Sequence, residues 1–154
     1  MPESNFTMVV LAGGASSRMG REKSDLFWGG QTFLETQIEK GRKLGARQIL
    51  ISGYRGTHCR EEIVPDRIPG QGPLGGLESC FRKAETEKCL VLGVDTPLVP
   101  LEELHRLLRY AMEETDKPVT MLCHNGKEES LMAVYDARLY KEITDFLKSG
   151  RSSV

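Results

Sequence analysis

The amino-acid sequence predicts an α/β fold, a three-layer sandwich in which a mostly parallel sheet lies between two layers of helices. Apolar runs of strand length alternate with segments of helical periodicity along the chain. Glycine-rich stretches and an aspartate stand at the carboxyl ends of predicted strands, where ligands bind in open sheets of this kind. No repeat, low-complexity stretch or linker divides the sequence, so we expect a single domain over residues 1–154.

The first half of the chain contains two predicted strands and one predicted helix. Phe6–Leu11 is an apolar, β-branched run that leads directly into glycines. Thr32, with a glutamate three residues later, forms a capping-box pattern that predicts a helix start. This helix should end near Leu44, because Gly45 supplies a C-terminal stop. Residues 49–51 form the second predicted strand.

The second half of the chain begins with residues 54–73, whose glycine, proline and charge content predicts a long loop. A helix with its apolar face at Leu74, Leu77, Phe81 and Ala84 follows it. The remaining predicted elements are a buried strand over residues 89–94, a helix with Pro100 in its first turn, a hairpin of residues 118–123 and 131–135 around Asn125 and Gly126, and a final helix over residues 137–147.

Composition and charge argue against several classes of protein. The net charge is −1, which gives no basic surface for a nucleic acid. No apolar run is long enough to span a bilayer, and the N-terminus has no basic region typical of a signal peptide. The four cysteines are scattered without zinc-like spacing, which favours free thiols. We therefore expect a cytoplasmic protein without a nucleic-acid or membrane partner.

The run over residues 11–23 has the properties of a phosphate-binding loop. Glycines that follow a strand allow backbone N–H groups to approach an anion closely. Arg18 and Lys23 add positive charges that suit a triphosphate and its leaving pyrophosphate. The spacing matches neither the Walker motif nor the dinucleotide-binding glycine motif. A surface turn with solvated charges is the alternative interpretation.

Two aspartates complete the candidate site. Asp95 follows a buried strand, and a single carboxylate is adequate for Mg²⁺, which takes its other ligands from water and phosphates. Asp66 precedes a glycine-rich run that leads into a helix, and it can accept hydrogen bonds from a ribose or a base edge. Turn-forming or helix-capping roles are the alternatives for both residues.

Taken together, these stretches resemble the molybdenum cofactor guanylyltransferase family of MobA type, which has a Rossmann-like, nucleotide-diphospho-sugar transferase-like fold. The motifs LAGG-x-x-x-RMG-x-x-K, GPLGGL and VDTPLVP stand in the family's order and near its spacing, and LMAVY resembles a later strand. The resemblance implies a guanylyltransferase that joins GMP from GTP to molybdopterin and releases pyrophosphate.

The resemblance also implies roles for individual residues, with Arg18, Lys23 and Asp95 as the catalytic group. Arg18 and Lys23 contact the phosphates, and Asp95 binds Mg²⁺. The nucleotide-binding positions carried over in this way are Leu11, Ala12, Gly13, Gly14, Lys23, Ser52, Asp66 and Asp95. GTP and molybdopterin are the expected substrates, and proteins that deliver or accept the molybdenum cofactor are candidate partners.

The sequence departs from the family pattern near its end. Family members continue past the segment that resembles residues 150–154 to a further strand and an Asn-x-Asn-x-Pro-Glu motif, and we expect this segment to be lacking. Two alternatives to the guanylyltransferase assignment stay open. One is a cytidylyl- or other nucleotidyltransferase of the same fold, and the other is a non-catalytic nucleotide-binding or adaptor protein.

Overall fold

The computed structural model describes residues 5–12, 27–28, 30–54, 59–68, 70–95, 99–113, 116–124 and 126–150. The strands are β1 (Phe6–Leu11), β2 (Phe27–Trp28), β3 (Gln31–Thr32), β4 (Gln48–Ser52), β5 (Glu62–Val64), β6 (Lys88–Gly93), β7 (Val119–His124) and β8 (Lys127–Asp136). The helices are α1 (Phe33–Lys43), α2 (Gly72–Lys83), α3 (Leu101–Glu113) and α4 (Tyr140–Lys148), and a 3₁₀ turn (Ala137–Leu139) precedes α4.

A six-stranded sheet in the order β5-β4-β1-β6-β8-β7 forms the middle layer. Strands β5, β4, β1 and β6 are parallel, β8 runs antiparallel to β6, and β7 pairs antiparallel with β8. Strands β2 and β3 form a separate antiparallel pair. The predicted mostly parallel α/β sheet is confirmed.

Helices cover both faces of this sheet and form two hydrophobic clusters. Residues of α1 and α3 pack on the face that carries Phe6, Met8 and Val10 of β1. Residues of α2 and α4 pack on the opposite face, against Val9 and Leu11. The alternation along β1 therefore sends neighbouring side chains into different clusters, and every residue of this strand is buried. These two clusters are the physical basis of the three layers.

Helix α1 begins and ends where the sequence predicts. The Thr32 side chain accepts a hydrogen bond from the Glu35 backbone N–H at 3.0 Å, and Glu35 Oε2 accepts one from the Thr32 backbone N–H at 3.0 Å. This reciprocal pair is the predicted capping box. Leu44 is the C-cap residue, and Gly45 follows it with a φ of +84°, a conformation that glycine adopts without strain.

The prediction of one long loop over residues 54–73 is wrong in part, because strand β5 lies within it. Strand β5 pairs in parallel with β4 at the edge of the sheet. Two of its three residues, Glu62 and Ile63, are exposed. An edge strand of three residues needs no long apolar run, so its sequence contains no hydrophobic pattern from which the strand could be predicted.

The other predicted elements of the second half are confirmed with small shifts of their bounds. Helix α2 ends one residue before Ala84, and Pro100 directly precedes α3 rather than lying in its first turn. The hairpin of β7 and β8 is longer than predicted and carries an irregularity between Met121 and Leu122. Gly126 lies at its turn with a φ of +77°, whereas Asn125 lies outside the described residues.

All four cysteines are free thiols, as the sequence predicts. Cys80 and Cys89 are buried, Cys59 is half-buried and Cys123 is exposed. Burial raises the pKa of the Cys80 thiol to about 12, so this group is neutral at physiological pH. No helix in the described part of the chain is long and apolar enough to cross a bilayer.

The capping box gives a direct test of the fold. Thr32→Ala removes the side-chain acceptor of the Glu35 backbone N–H, and we expect the free energy of unfolding to fall by about 1 kcal/mol. Chemical denaturation measures this change. Thr32→Ser keeps the hydroxyl and is the matched control, so it should lose clearly less stability. Equal losses in the two variants would show that the cap contributes nothing.

Candidate active site

Three parallel strands end side by side at one edge of the sheet. Leu11, the last residue of β1, pairs with Ser52 of β4 on one side and with Gly93 of β6 on the other. The pairing continues one residue further, because the Ala12 N–H donates to the Ser52 carbonyl at 2.8 Å and the Val94 N–H donates to the Leu11 carbonyl at 3.2 Å. The chain therefore leaves β1, β4 and β6 at the same level.

The space between the ends of β1 and β6 is the topological switch point of the sheet. After β1 the chain moves outward through β4 to β5, and it then returns to the other side of β1 to form β6. Helices α1 and α2, which make these two connections, lie on opposite faces. Connections that diverge in this way leave a crevice outside the strand ends, and ligands of open α/β sheets bind there. Leu11, Ala12 and Asp95 lie at this crevice.

Asp95 is an exposed carboxylate just beyond the end of β6. Its Oδ1 atom lies 2.8 Å from the point that a Cβ on Gly93 would occupy, so the side chain folds back over the strand end. In the described part of the chain, this carboxylate has neither a hydrogen bond nor an ion pair. It is exposed at the switch point.

Helix α2 approaches the strand ends closely on the opposite side of β1. A Cβ on Gly76 would overlap with the Ser52 hydroxyl oxygen and would lie 3.4 Å from a methyl group of Leu11. Ser52 itself is only 3% exposed, and its hydroxyl is hydrogen-bonded with the Cys80 thiol of α2. A side chain at position 76 would therefore displace the Ser52 hydroxyl. A nucleotide contact through Ser52 stays a prediction.

Asp66 lies against the first turns of α2. Its Oδ2 atom is 3.4 Å from the position of a Cβ on Gly75, and the half-buried carboxylate accepts no hydrogen bond from the described residues. Burial raises the pKa of Asp66, and the negative charge of Glu78 raises this pKa further. This position beside the first turns of α2 makes Asp66 a candidate for binding a ligand's hydrogen-bond donors.

The remaining predicted site residues, Gly13, Gly14, Arg18 and Lys23, lie outside the described part of the chain. Their roles stay predictions. Within the described residues, no group of three or more His, Cys, Asp or Glu side chains is arranged to hold a metal ion.

Comparison with known proteins identifies the family. Residues 8–154 match the family model of the MobA-like NTP transferase domain. The chain belongs to the MobA-like NTP transferase family.

Relatives with assigned names support this membership over most of the chain. A protein of Carboxydothermus hydrogenoformans, named "probable molybdenum cofactor guanylyltransferase", is 34% identical over 145 residues, which cover 93% of this chain and 72% of the relative. A Xanthomonas euvesicatoria protein, named "molybdenum cofactor guanylyltransferase", is 40% identical over 104 residues, which cover 67% of this chain and 53% of the relative.

Solved structures share the fold of this MobA-like domain. Molybdopterin-guanine dinucleotide biosynthesis protein A from Archaeoglobus fulgidus aligns with a TM-score of 0.73 at 22% identity, over 96% of this chain and 75% of that protein. A CMP:2-keto-3-deoxy-manno-octonic acid synthetase in complex with CTP aligns with a TM-score of 0.72 at 12% identity, over 93% and 78% of the respective chains. The fold is thus shared with a protein that binds CTP, and these low identities show the fold alone.

Gln37, which the sequence alone does not identify, supports a strand end at the site of this MobA-like domain. Gln37 of α1 is fully buried, and its Nε2 donates a 2.8 Å hydrogen bond to the carbonyl of Gly93 at the end of β6. This bond fixes the strand end two residues before Asp95. The signal in the sequence is a polar residue on the face of α1 that also carries Leu34 and Ile38.

The contact between α2 and β4 can be tested by a double-mutant cycle. Gly76→Ala forces its new methyl group against the Ser52 hydroxyl, and we expect the free energy of unfolding to fall by about 1–2 kcal/mol. In a Ser52→Ala background this cost should shrink by about 1 kcal/mol, because the overlapping oxygen is gone. Thermal and chemical unfolding of the four proteins measure the cycle. An equal cost in both backgrounds would contradict the contact.

Proposed function

We propose that this chain transfers GMP from GTP to molybdopterin, with release of pyrophosphate and formation of molybdopterin guanine dinucleotide. Membership of the MobA-like family and the names of its relatives support the choice of reaction. One structural observation carries the proposal. Leu11 and Ala12, which lead into the glycine loop, lie at the same switch point as the exposed carboxylate of Asp95.

The proposed reaction breaks one bond at the α-phosphorus of GTP and forms another. The phosphate of molybdopterin attacks this phosphorus, and pyrophosphate leaves with the electrons of the broken P–O bond. The attacking group is already an anion, so the chain need not supply a strong general base. Positioning of the two substrates and neutralisation of their charge should dominate the rate.

In this proposal the two sides of the nucleotide are held by different segments. The backbone of residues 11–14 binds the nucleotide, and Arg18 and Lys23 contact its triphosphate. Asp66 accepts hydrogen bonds from the guanosine part. The Asp66 oxygens lie beside α2 and accept no hydrogen bond from the described residues, which supports this assignment.

A magnesium ion fits the groups at the switch point, and Asp95 would hold it. The side chain is exposed and has no ion-pair partner in the described part of the chain. Mg²⁺ accepts a single protein carboxylate when phosphates and water complete its shell. Its chemical contribution is to neutralise negative charge on the phosphates of the substrates. A solved structure of the same fold, Rv0371c from Mycobacterium tuberculosis at 15% identity and a TM-score of 0.70, is a complex with manganese.

The proposal includes a cytoplasmic location. The four free thiols are the state that a reducing compartment maintains. Proteins that deliver molybdopterin or receive the finished dinucleotide are part of the proposal as partners, without an assigned surface.

The choice of nucleotide is tested by comparing GTP, CTP, UTP and ATP in the presence of Mg²⁺. GTP at about one hundred times its Kd should stabilise the protein by about 2.7 kcal/mol. Thermal unfolding measures this effect, and pyrophosphate release with molybdopterin measures turnover. A stronger effect of CTP would replace the guanylyl assignment by a cytidylyl one. GTP binding without pyrophosphate release would make the chain a nucleotide-binding protein.

The role of Asp95 gives a second prediction. Asp95→Asn removes the negative charge, so Mg²⁺-dependent transfer should fall about a hundredfold or more in kcat. The side chain is exposed, and we expect the free energy of unfolding to change by no more than about 0.5 kcal/mol. Asp145→Asn removes an exposed carboxylate on α4 and is the matched control, with parental turnover. Parental turnover of Asp95→Asn would rule out its metal role.

A further inference from the structure

Glu78 of α2 is a carboxylate buried inside the protein, with a side chain that is only 1% exposed. A charge in such a place is costly unless hydrogen bonds and opposite charges compensate it. Three side chains donate to its Oε2 atom. These are Arg67 at 2.6 Å, Arg82 at 2.9 and 3.2 Å, and Thr144 at 2.9 Å.

These donors come from three different parts of the fold. Arg67 belongs to the segment before α2, Arg82 lies one turn further along α2, and Thr144 belongs to α4. The Arg82 guanidinium also lies over the Tyr140 ring of α4, 4.6 Å from its centroid. Burial alone would raise the pKa of Glu78, but hydrogen bonds from Arg82 and Thr144 and the charges of Arg67 and Arg82 lower it. The carboxylate is therefore ionised and holds all three parts together.

Arg67 is held at two points, and it is the residue directly after Asp66. Its guanidinium donates to Glu78, and its backbone N–H donates to the Ser79 hydroxyl oxygen at 2.9 Å. The Ser79 hydroxyl in turn donates to the Gly75 carbonyl at 3.1 Å. Two successive residues of α2 thus fix the backbone and the side chain of the neighbour of Asp66. The Asp66 carboxylate lies beside Gly75, whose carbonyl accepts the bond from Ser79.

We propose that Glu78 is the positioning residue of the nucleoside contact: it fixes Arg67 and thereby orients Asp66 toward the nucleoside of the substrate. This inference rests on the proposed function, in which Asp66 contacts guanosine. Glu78 does not touch the substrate itself. It acts because a segment outside helix and strand has no ladder of backbone hydrogen bonds to hold it, so its fixation must come from side chains.

If Glu78 positions Asp66, substitutions that break this link should lower the affinity for the nucleotide and leave the turnover number nearly unchanged. Glu78→Gln removes the charge and keeps the shape, and Arg67→Met cuts the same link at a side chain that is 47% exposed. We expect either change to weaken GTP binding about tenfold, the effect of losing about 1.4 kcal/mol. At saturating GTP, kcat should stay within about twofold of the parent, because the reacting phosphates are held elsewhere.

Arg82→Met is the matched control, because it removes an ion pair of Glu78 and leaves the bond to Arg67 intact. It should lower the free energy of unfolding while changing the Kd of GTP less than about twofold. In an Asp66→Ala background, Glu78→Gln should weaken binding no further, because the oriented group is gone. A full tenfold loss in that background, or an equal loss in Arg82→Met, would overturn the proposal.

Hydrogen exchange tests the same link without any nucleotide. The Arg67 backbone amide, which donates to Ser79, should exchange faster in Glu78→Gln and Arg67→Met than in Arg82→Met. Unchanged exchange in both variants would overturn the positioning role. A parent protein that binds CTP rather than GTP would contradict only the guanylyl assignment. If the Arg67 amide still exchanges faster in the two variants, the positioning role stands, and the affinities of the variants are then measured with CTP. Arg67→Met keeps the test decisive if Glu78→Gln does not fold.

Discussion

The parallel pairing of β1 with β4 and β6 is the constraint on which the site depends. It brings Leu11, Ser52 and Gly93 into one row, so the chain leaves all three strands at one level. A slip of one residue between β1 and β6 would move Asp95 by about 3.3 Å along the strand direction. The slip would also exchange the side chains of the two hydrophobic clusters, because neighbours in β1 face opposite layers. The two cores therefore protect the geometry of the strand ends.

Two kinds of interaction hold helix α2 in place beside these strand ends, namely close packing at a glycine and ion pairs of a buried carboxylate. At its start the absence of a side chain at Gly76 lets the helix lie on Ser52 and Leu11. Two residues later Glu78 brings a charge into the interior, and its donors come from the segment before α2, from α2 itself and from α4. Close packing sets the distance of the helix from the sheet. The ion pairs tie the segment that carries Asp66 to that helix.

Most of the fold could be predicted because it depends on local patterns. The capping box at Thr32, the apolar run of β1 and the glycine after Leu44 each act within a few residues of sequence. Strand β5 escaped prediction because it has three residues, two of them exposed, and lies at the sheet edge beside β4. The sequence also predicted that the residues after β1 and the residue Asp95 after β6 lie at the same end of the sheet, because parallel strands end on the same side.

The supporting residues of the site could not be predicted in the same way. Gln37 acts on Gly93, which is 56 positions away, and Glu78 meets Thr144 across 66 positions. Polar residues on a buried helix face indicate that a partner exists, but they do not say which one. Only the packing of α1 and α4 against the sheet identifies these partners.

The bond between Glu78 and Thr144 also has a consequence for folding during synthesis, because its two partners are made at different times. A ribosome makes α2 before it makes residue 144, and a domain generally folds as a unit. Before α4 has been made, Glu78 lacks the Thr144 donor, and the Arg82 guanidinium lacks its contact with the Tyr140 ring. The full set of donors around Glu78 can therefore form only late in biosynthesis, after the whole of residues 1–144 has been made.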